Sequence, residues 1–446
     1  MKYLGVFETA EEACKAAEEA QKDLMANYSK DDRQRMIDNI KLRGKENIEK
    51  IAKLEWEETG YGRYEDKIAQ LTGNFLNLPG TDAVDTKVYA GSKGITMDVY
   101  APFGVVGAVT PVTNVSSTLM GNSVCNLAVG NSIVFNVHPA GVETAKLIVD
   151  IINKAIVEAG GPANLYTMPA TPTMKTLDTI VHYPAVRLIS GTGGPAMVST
   201  LMSSGKRVIA AGPGNPPCVV DSSADIKRAA EQITACASFN NNIFCIAEKE
   251  IFVVADVYDE FVEEMKNLGL FKLTESQAEE LVDLCLKKNP EGAENEYAAN
   301  KKYVGANANV ILQDAGIEVE GDPRLAFFET DAQNPFVQTE QMMPIIPIVK
   351  CADFEDACAK ALQAEHGNHH SASIWTKDLY HATQFAKMIN TTVTAMNGNT
   401  MSAYGNGGEG TDTPTTATPT GEGVTSPVTF ARRRRFAMAD GQGFPV

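Results

Sequence analysis

Cys245 sits in Ser238-Phe-Asn-Asn-Asn-Ile-Phe-Cys245-Ile-Ala-Glu-Lys249, a polar, asparagine-rich stretch directly ahead of the apolar run Glu250 to Val254. A cysteine at the junction of a bend and a rigid strand can face a cleft and act there as a thiolate nucleophile. Most free cysteines are instead small buried hydrophobes, so the neighbouring motifs have to decide. Asn114 ends Ala108-Val-Thr110-Pro111-Val-Thr113-Asn114, which sets hydroxyls and an amide at the carboxyl end of a buried strand, where open α/β sheets bind ligands. Its NH2 group can donate to a developing oxyanion; a plain turn asparagine is the alternative. Ser190-Gly191-Thr192-Gly193-Gly194-Pro195 also follows a strand and opens a helix, so its N–H groups can approach a pyrophosphate, although the spacing is not GxGxxG. Gly212-Pro213-Gly214-Asn-Pro-Pro217 forms a stiff, non-helical wall that holds no carboxylate. Thr339-Glu340-Gln-Met-Met-Pro344 offers one acid before a proline-bounded strand. Glu365-His366-Gly-Asn-His-His370 offers an acid and three imidazoles; zinc would need further ligands at workable spacing, so a loop with one acid/base histidine is expected, and no metal.

These residues need a framework. Thr9-Ala-Glu-Glu12 is a capping box ahead of alanines at helical spacing, and Ser29-Lys-Asp-Asp32 opens a second helix. Lys87 to Tyr100 alternates on both sides of Gly91-Ser-Lys-Gly94, the pattern of a β-hairpin, and a hairpin this exposed suits packing between subunits. From Gly104 onward, apolar strands at Val105 to Val109, Ser132 to Val137, Val186 to Ser190 and Arg207 to Ala211 alternate with helices, which predicts a parallel sheet covered on both faces. A second α/β region follows from Ser223, so two α/β lobes are expected. Asn397 to Pro427, dense in Gly, Thr and Pro, reads as an extended excursion that crosses a surface and docks, with a strand at Val428 to Ala431.

A chain of 446 residues, 44% hydrophobic, can fill two or three cores. A net charge of −17 opposes nucleic-acid and anionic membrane surfaces. Arg432 to Arg435 is the one basic run and reads as a solvated or interface strand end. Eight cysteines without a CxxC pair point to a reducing compartment. The N-terminus shows no signal-peptide core and no window approaches a membrane span, so a cytoplasmic protein is expected.

Six blocks in order carry a resemblance that runs nearly end to end: Pro102 to Asn114, Ala211 to Pro217, Ser238 to Lys249, Thr339 to Pro344, Glu365-His-Gly367 and Thr418 to Pro427. The chain resembles the aldehyde dehydrogenase superfamily, and within it the coenzyme A-acylating propionaldehyde dehydrogenases of bacterial microcompartments. The resemblance implies two Rossmann-like α/β lobes with a β-hairpin oligomerisation element. Residues 1–231 would form the NAD-binding domain, 232–405 the catalytic domain, and 406–446 the excursion and oligomerisation strand. It implies that Cys245 attacks the aldehyde, that Asn114 and the Cys245 N–H hold the oxyanion, and that His366 serves as acid/base. NAD would lie against Thr110, Pro111, Thr113, His138, Gly191, Thr192, Gly193, Gly194, Pro213, Gly214 and Glu340, with Glu340 on the nicotinamide ribose. Coenzyme A is the implied co-substrate, a homodimer or homotetramer the implied assembly, and microcompartment shell proteins are implied partners. Hydrolytic relatives carry a glutamate base where this chain has Ala211 to Pro217, so the acyl group should pass to CoA and not to water. Two positions depart from relatives: His138 replaces a lysine, which leaves NAD against NADP open, and Val115-Ser-Ser-Thr118 replaces a segment that commonly holds Pro and Glu. Acetaldehyde, butyraldehyde or succinate semialdehyde as substrate, and a phosphorylating semialdehyde reductase, are the alternatives. The chain closes on Gly441-Gln-Gly-Phe-Pro-Val446, in which no encapsulation peptide is evident.

Overall fold

Burial and pairing follow the apolar runs closely. The computed structural model describes residues 3–290 and 296–439, and these divide into two units. The first unit runs to Glu58, from Gln70 to Ala211 and onward from Thr411; the second holds Thr59–Ala69 and Gly212–Gly410. The terminal segment Gly441 to Val446 lies outside the described residues.

In the first unit, β1 (Val6–Phe7), β2 (Val105–Thr110), β3 (Ser132–Val137), β4 (Tyr166–Pro169), β5 (Val186–Thr192) and β6 (Arg207–Ala211) form one parallel sheet in the order β1-β4-β3-β2-β5-β6. β2 and β3 are buried at every residue, as strands covered on both faces must be. The chain steps outward from β2 through β3 to β4, then returns to lay β5 on the other side of β2. That reversal leaves a crevice outside the carboxyl ends of β2 and β5. The helix Ala10–Asn27 starts at the Thr9–Glu12 capping box and packs Ala10, Ala13, Cys14 and Ala17 against Val134 and Ile189.

The hairpin Lys87–Gly91 and Gly94–Pro102 is joined by Ala431–Ala439 in a three-stranded antiparallel sheet. Arg432 to Arg435 lie inside that last strand, and Arg435 pairs with Asp98 at 2.6 Å. The expected strand at Val428 to Ala431 is corrected: Pro427–Phe430 is a 3-10 turn and the strand begins at Ala431. Pro427 at the first helical position and the reciprocal Ser426–Thr429 cap favour the turn. The preceding excursion docks as expected, with Ala417 fully buried and Thr420 Oγ1 accepting the Ala210 N–H at 3.0 Å.

In the second unit, β7 (Pro217–Val220), β8 (Glu250–Val254), β9 (Phe271–Lys272), β10 (Ala326–Thr330), β11 (Ile345–Cys351), β12 (Ser371–Trp375) and β13 (Val393–Met396) form a parallel sheet in the order β9-β10-β11-β8-β7-β12-β13. Helices Ile226–Ser238 and Ala255–Asn267 cover one face and Phe354–Glu365 and Leu379–Ile389 the other. The expected boundary at residue 231 moves to Gly212, because β7 pairs with β8 and β12 and so belongs to this sheet. Likewise the second unit runs to Gly410 where 405 was expected. Among the described residues no helix is long and apolar enough to cross a membrane.

Candidate active site

Four adjacent strands of the second sheet, in the order β11-β8-β7-β12, are each preceded by one of the motifs singled out above. Glu340 precedes β11, Cys245 precedes β8, Pro213 and Gly214 precede β7, and Glu365 to His370 precede β12. The motifs therefore gather at the amino ends of these strands, opposite to the usual carboxyl-end location of ligands in open α/β sheets.

The turn that delivers Cys245 is built by asparagines. Asn240, Asn241 and Asn242 all have left-handed backbones, with φ of 49°, 57° and 57°. An L-residue pays about 1–2 kcal/mol for that conformation, and Asn tolerates it best after Gly because its side chain can bond locally. Here each side chain is also tied down. Asn240 Oδ1 accepts the Arg63 N–H at 2.9 Å, Asn241 Oδ1 accepts Arg63 Nε at 2.8 Å, and Asn241 Nδ2 donates to Gly305 O and Asn307 Oδ1. Asn242 Nδ2 donates to Glu248 O at 3.1 Å. The buried Lys249 closes the loop from the other side: its ammonium donates to Asn242 O, Asn242 Oδ1 and Phe244 O at 3.1, 2.6 and 2.6 Å.

Cys245 is only partly buried, whereas the other seven cysteines are fully enclosed. Packing around it pushes its thiol up to about 12, the Glu340 carboxylate adds to the rise, and the Lys249 ammonium opposes it. The resting nucleophile is therefore a thiol at neutral pH, and its proton must leave as the sulfur attacks. Gly214 runs directly beneath: a Cβ there would stand 2.8 Å from the Cys245 carbonyl oxygen and 2.8 Å from His370 Cγ. Burial raises the Glu340 carboxyl to about 7, against the pull of Lys249 and of the Gly214 N–H that bonds it.

The three imidazoles diverge. His366, at the left-handed end of helix Phe354–Glu365, is exposed and its Nε2 lies 3.0 Å from Gln338 O; a carbonyl only accepts, so Nε2 carries the proton and Nδ1 is the basic nitrogen. His369 meets Asn390 O at 3.1 Å. His370 is fully buried; Ser371 Oγ gives its proton to Ile246 O and so accepts from His370 Nδ1 at 3.1 Å. Asn215 staples the wall to its neighbours by donating to Val337 O and Ala364 O, both at 2.9 Å, while the Glu365 carboxylate accepts the His370 N–H at 3.0 Å. Among the described residues no group of three His, Cys, Asp or Glu side chains could hold a metal ion.

The expected cofactor residues of the first unit collect at the crevice of its own sheet. Thr110 ends β2 and is followed by Pro111, Thr113 and the expected catalytic Asn114, His138 follows β3, and Gly191 to Gly194 end β5 and lead into helix Pro195–Met202. Gly191 is a packing glycine, since a Cβ there would strike Leu201, whereas a Cβ at Gly194 would meet open space. At that helix start Pro195 has no N–H, and the Gly193 and Met197 N–H groups bond Ala211 O and Gly194 O, which leaves the Gly194 and Ala196 N–H groups to meet a pyrophosphate. Thr110 Oγ1 is buried without a partner among the described residues. His138 is exposed and caps its own 3-10 turn, Nδ1 accepting from the Ala140 N–H at 3.2 Å. Ser116, in the segment that departs from relatives, donates from its N–H and hydroxyl to the buried Glu55 carboxylate.

The family model for the aldehyde dehydrogenase family matches residues 5–411. The chain belongs to the aldehyde dehydrogenase family. An acetaldehyde dehydrogenase (acetylating) EutE of Salmonella typhimurium is 40% identical over 438 residues, covering 98% of this chain and 93% of the relative. The solved structure of a propionaldehyde dehydrogenase from the Clostridium phytofermentans fucose utilisation bacterial microcompartment superposes with a TM-score of 0.94 at 40% identity, covering 98% of each chain. That of a Rhodopseudomonas palustris propionaldehyde dehydrogenase, with bound CoA and an acylated cysteine, gives 0.93 at 38% identity, again over 98% of each chain. Set in this aldehyde dehydrogenase frame, the structure adds residues that reading the sequence missed. Lys249, His370 with Ser371, and Arg63 shape the cysteine turn, and Gln70 holds Asn114, its Nε2 donating to Asn114 Oδ1 at 2.5 Å. A lysine and two glutamates opening an otherwise apolar strand were the available signal for Lys249; Gln70 had none, because its partner is distant in sequence.

Proposed function

We propose that this chain oxidises a short-chain aldehyde, propionaldehyde foremost, to its CoA thioester with reduction of NAD. The observation that carries the reading is Cys245 on its stapled turn beside a Gly212–Pro217 wall that holds no carboxylate to activate water. The Cys245 sulfur adds to the aldehyde carbon, and Nδ1 of His366 accepts the thiol proton. The oxyanion would take a hydrogen bond from the Cys245 N–H, and Asn114 Nδ2 is the second donor that the family pattern assigns. Thr110, Thr113 and Gly191 to Gly194 would hold NAD, which when bound would supply the hydride acceptor. Glu340 would hold the nicotinamide ribose hydroxyls, as the family pattern assigns. The thiol of CoA then attacks the Cys245 thioester, its proton passes to solvent, and the departing Cys245 sulfur recovers the proton held on His366. The balance is aldehyde, CoA and NAD+ to acyl-CoA, NADH and a proton. A thiol needs little activation near neutral pH, whereas water would need the missing base.

Relatives that are acetylating or act on propionaldehyde support the substrate class. Exposed Val88, Tyr89 and Phe436 on the three-stranded sheet support a homodimer or dimer of dimers built through it. The relative from a microcompartment supports residence in the cytoplasm or within such a compartment, with shell proteins as neighbours. NADH formation from acetaldehyde, propionaldehyde, butyraldehyde and succinate semialdehyde, each with and without CoA, tests the reading. Highest kcat/KM with propionaldehyde and strict CoA dependence are expected; turnover without CoA would overturn it.

A further inference from the structure

The oxyanion role assigned to Asn114 depends on which end of its amide faces the substrate. Asn114 precedes helix Val115–Val129 with φ −155° and ψ 57°, and its side chain makes no capping bond to that helix. Its carbonyl oxygen is instead taken by Gln70 Nε2 at 2.5 Å, in a partly buried pair. Among the described residues Asn114 Nδ2 has no protein partner. An amide whose oxygen is held by a donor must present its NH2 group on the opposite edge, because the two ends lie on one rigid planar group. Gln70 is carried on helix Tyr64–Asn77, so the donor sits on a rigid element and not on a mobile loop.

We infer that Gln70 is a positioning residue that fixes the amide orientation of Asn114, so that an NH2 group and not a carbonyl oxygen meets the developing oxyanion. The inference rests on the acylating reading above. A pre-aimed neutral donor of this kind is worth on the order of 10²–10³-fold in kcat, and a reversed amide would set an oxygen against an oxygen.

The test uses full-length enzyme carrying Gln70→Glu, Gln70→Leu, Asn114→Ala and the Gln70→Glu/Asn114→Ala pair, with burst-phase NADH formation from propionaldehyde as readout. A carboxylate at position 70 only accepts, so it should draw the Asn114 NH2 toward itself and reverse the amide. Gln70→Glu should therefore lose about 10²-fold in burst rate near pH 8 with the KM for CoA unchanged, and should recover as the pH falls and the new carboxyl gains a proton it can donate. Gln70→Leu should lose about tenfold with no such recovery, since its Asn114 is free to turn either way. The double variant should be no worse than Asn114→Ala. Equal, pH-independent losses for the Glu and Leu variants, additive with Asn114→Ala, would overturn the inference in favour of packing alone. A normal Gln70→Glu beside an inactive Asn114→Ala would overturn it while leaving the reaction intact. Wild-type bursts in Asn114→Ala would overturn both the inference and the oxyanion role it rests on.

Discussion

Replacing Glu340 with Gln should make Cys245 more reactive, and the size of the starting handicap follows from the site. The thiol is pushed from 9.0 up to about 12 by packing first and the Glu340 carboxylate second, with Lys249 opposing. A thiol raised that far holds about a thousandfold less thiolate near pH 8 than an unperturbed one would. Each thiolate is more nucleophilic in compensation, by roughly 20- to 30-fold for a Brønsted slope of about 0.4–0.5. The net expectation is alkylation by iodoacetamide about 30- to 60-fold slower than a free thiol near pH 8, with a rate that climbs about tenfold per pH unit and does not level off below about pH 9. Glu340→Gln removes the anion and should speed alkylation above about pH 7, where the native carboxyl is charged. Below that pH the two proteins should converge. Peptide mass spectrometry after timed alkylation isolates the signal, since the other seven cysteines are buried. A plateau below about pH 9, or no effect of Glu340→Gln at any pH, would refute the assignment of charge and burial as the causes.

Other consequences follow from the same loops. Gly214→Ala places a methyl against both the Cys245 carbonyl and the His370 ring, so kcat should fall about 10²-fold while the enzyme still folds; an unchanged kcat would show that the wall does not fix the nucleophile. Lys249→Met strands two buried acceptors, Asn242 O and Asn242 Oδ1, and the partly buried Phe244 O, and should cost about 3 kcal/mol in urea unfolding. It should also slow Cys245 alkylation, since the opposing cation is gone. Burial lowers the His370 imidazole from 6.5 to about 4. The unfolded chain therefore binds a proton that the folded one refuses between those values, and His370 contributes stability above about pH 6.5 that is lost as the pH falls toward about 4, on the order of 3 kcal/mol in all. The buried carboxyls Glu248, Glu250 and Glu365, all raised by burial, act in the opposite sense. The quantity to measure is thus the stability of the wild type minus that of His370→Gln at each pH; a flat difference would contradict the buried neutral imidazole.

The strands of the first unit were legible because buried parallel strands read as unbroken apolar runs, and Ser132–Val137 and Arg207–Ala211 fall where the pattern puts them. The Asn240–Asn242 turn was legible as a bend, though not as three left-handed residues in succession, since that depends on Arg63, Gly305 and Asn307 supplying partners from far along the chain. The unit boundary was misplaced because nothing local in Pro217–Val220 says which sheet it joins; that is decided by pairing with Glu250–Val253 and Ser373–Trp375. The three histidines near residue 370 looked alike in sequence, and only burial separates His370 from the exposed His366. Gln70 and Asn114 illustrate the same limit, because a hydrogen bond between distant residues leaves no local trace.

The central claim is that Cys245 carries the acyl group and surrenders it to CoA and not to water. Enzyme mixed with propionaldehyde and NAD but no CoA, quenched in acid and digested, should show a propionyl group on the Cys245 peptide. That adduct should persist for minutes in buffer and vanish within one turnover when CoA is added, with propionyl-CoA formed in equal amount. No adduct on Cys245, or an adduct that water removes as fast as CoA does, would contradict the account.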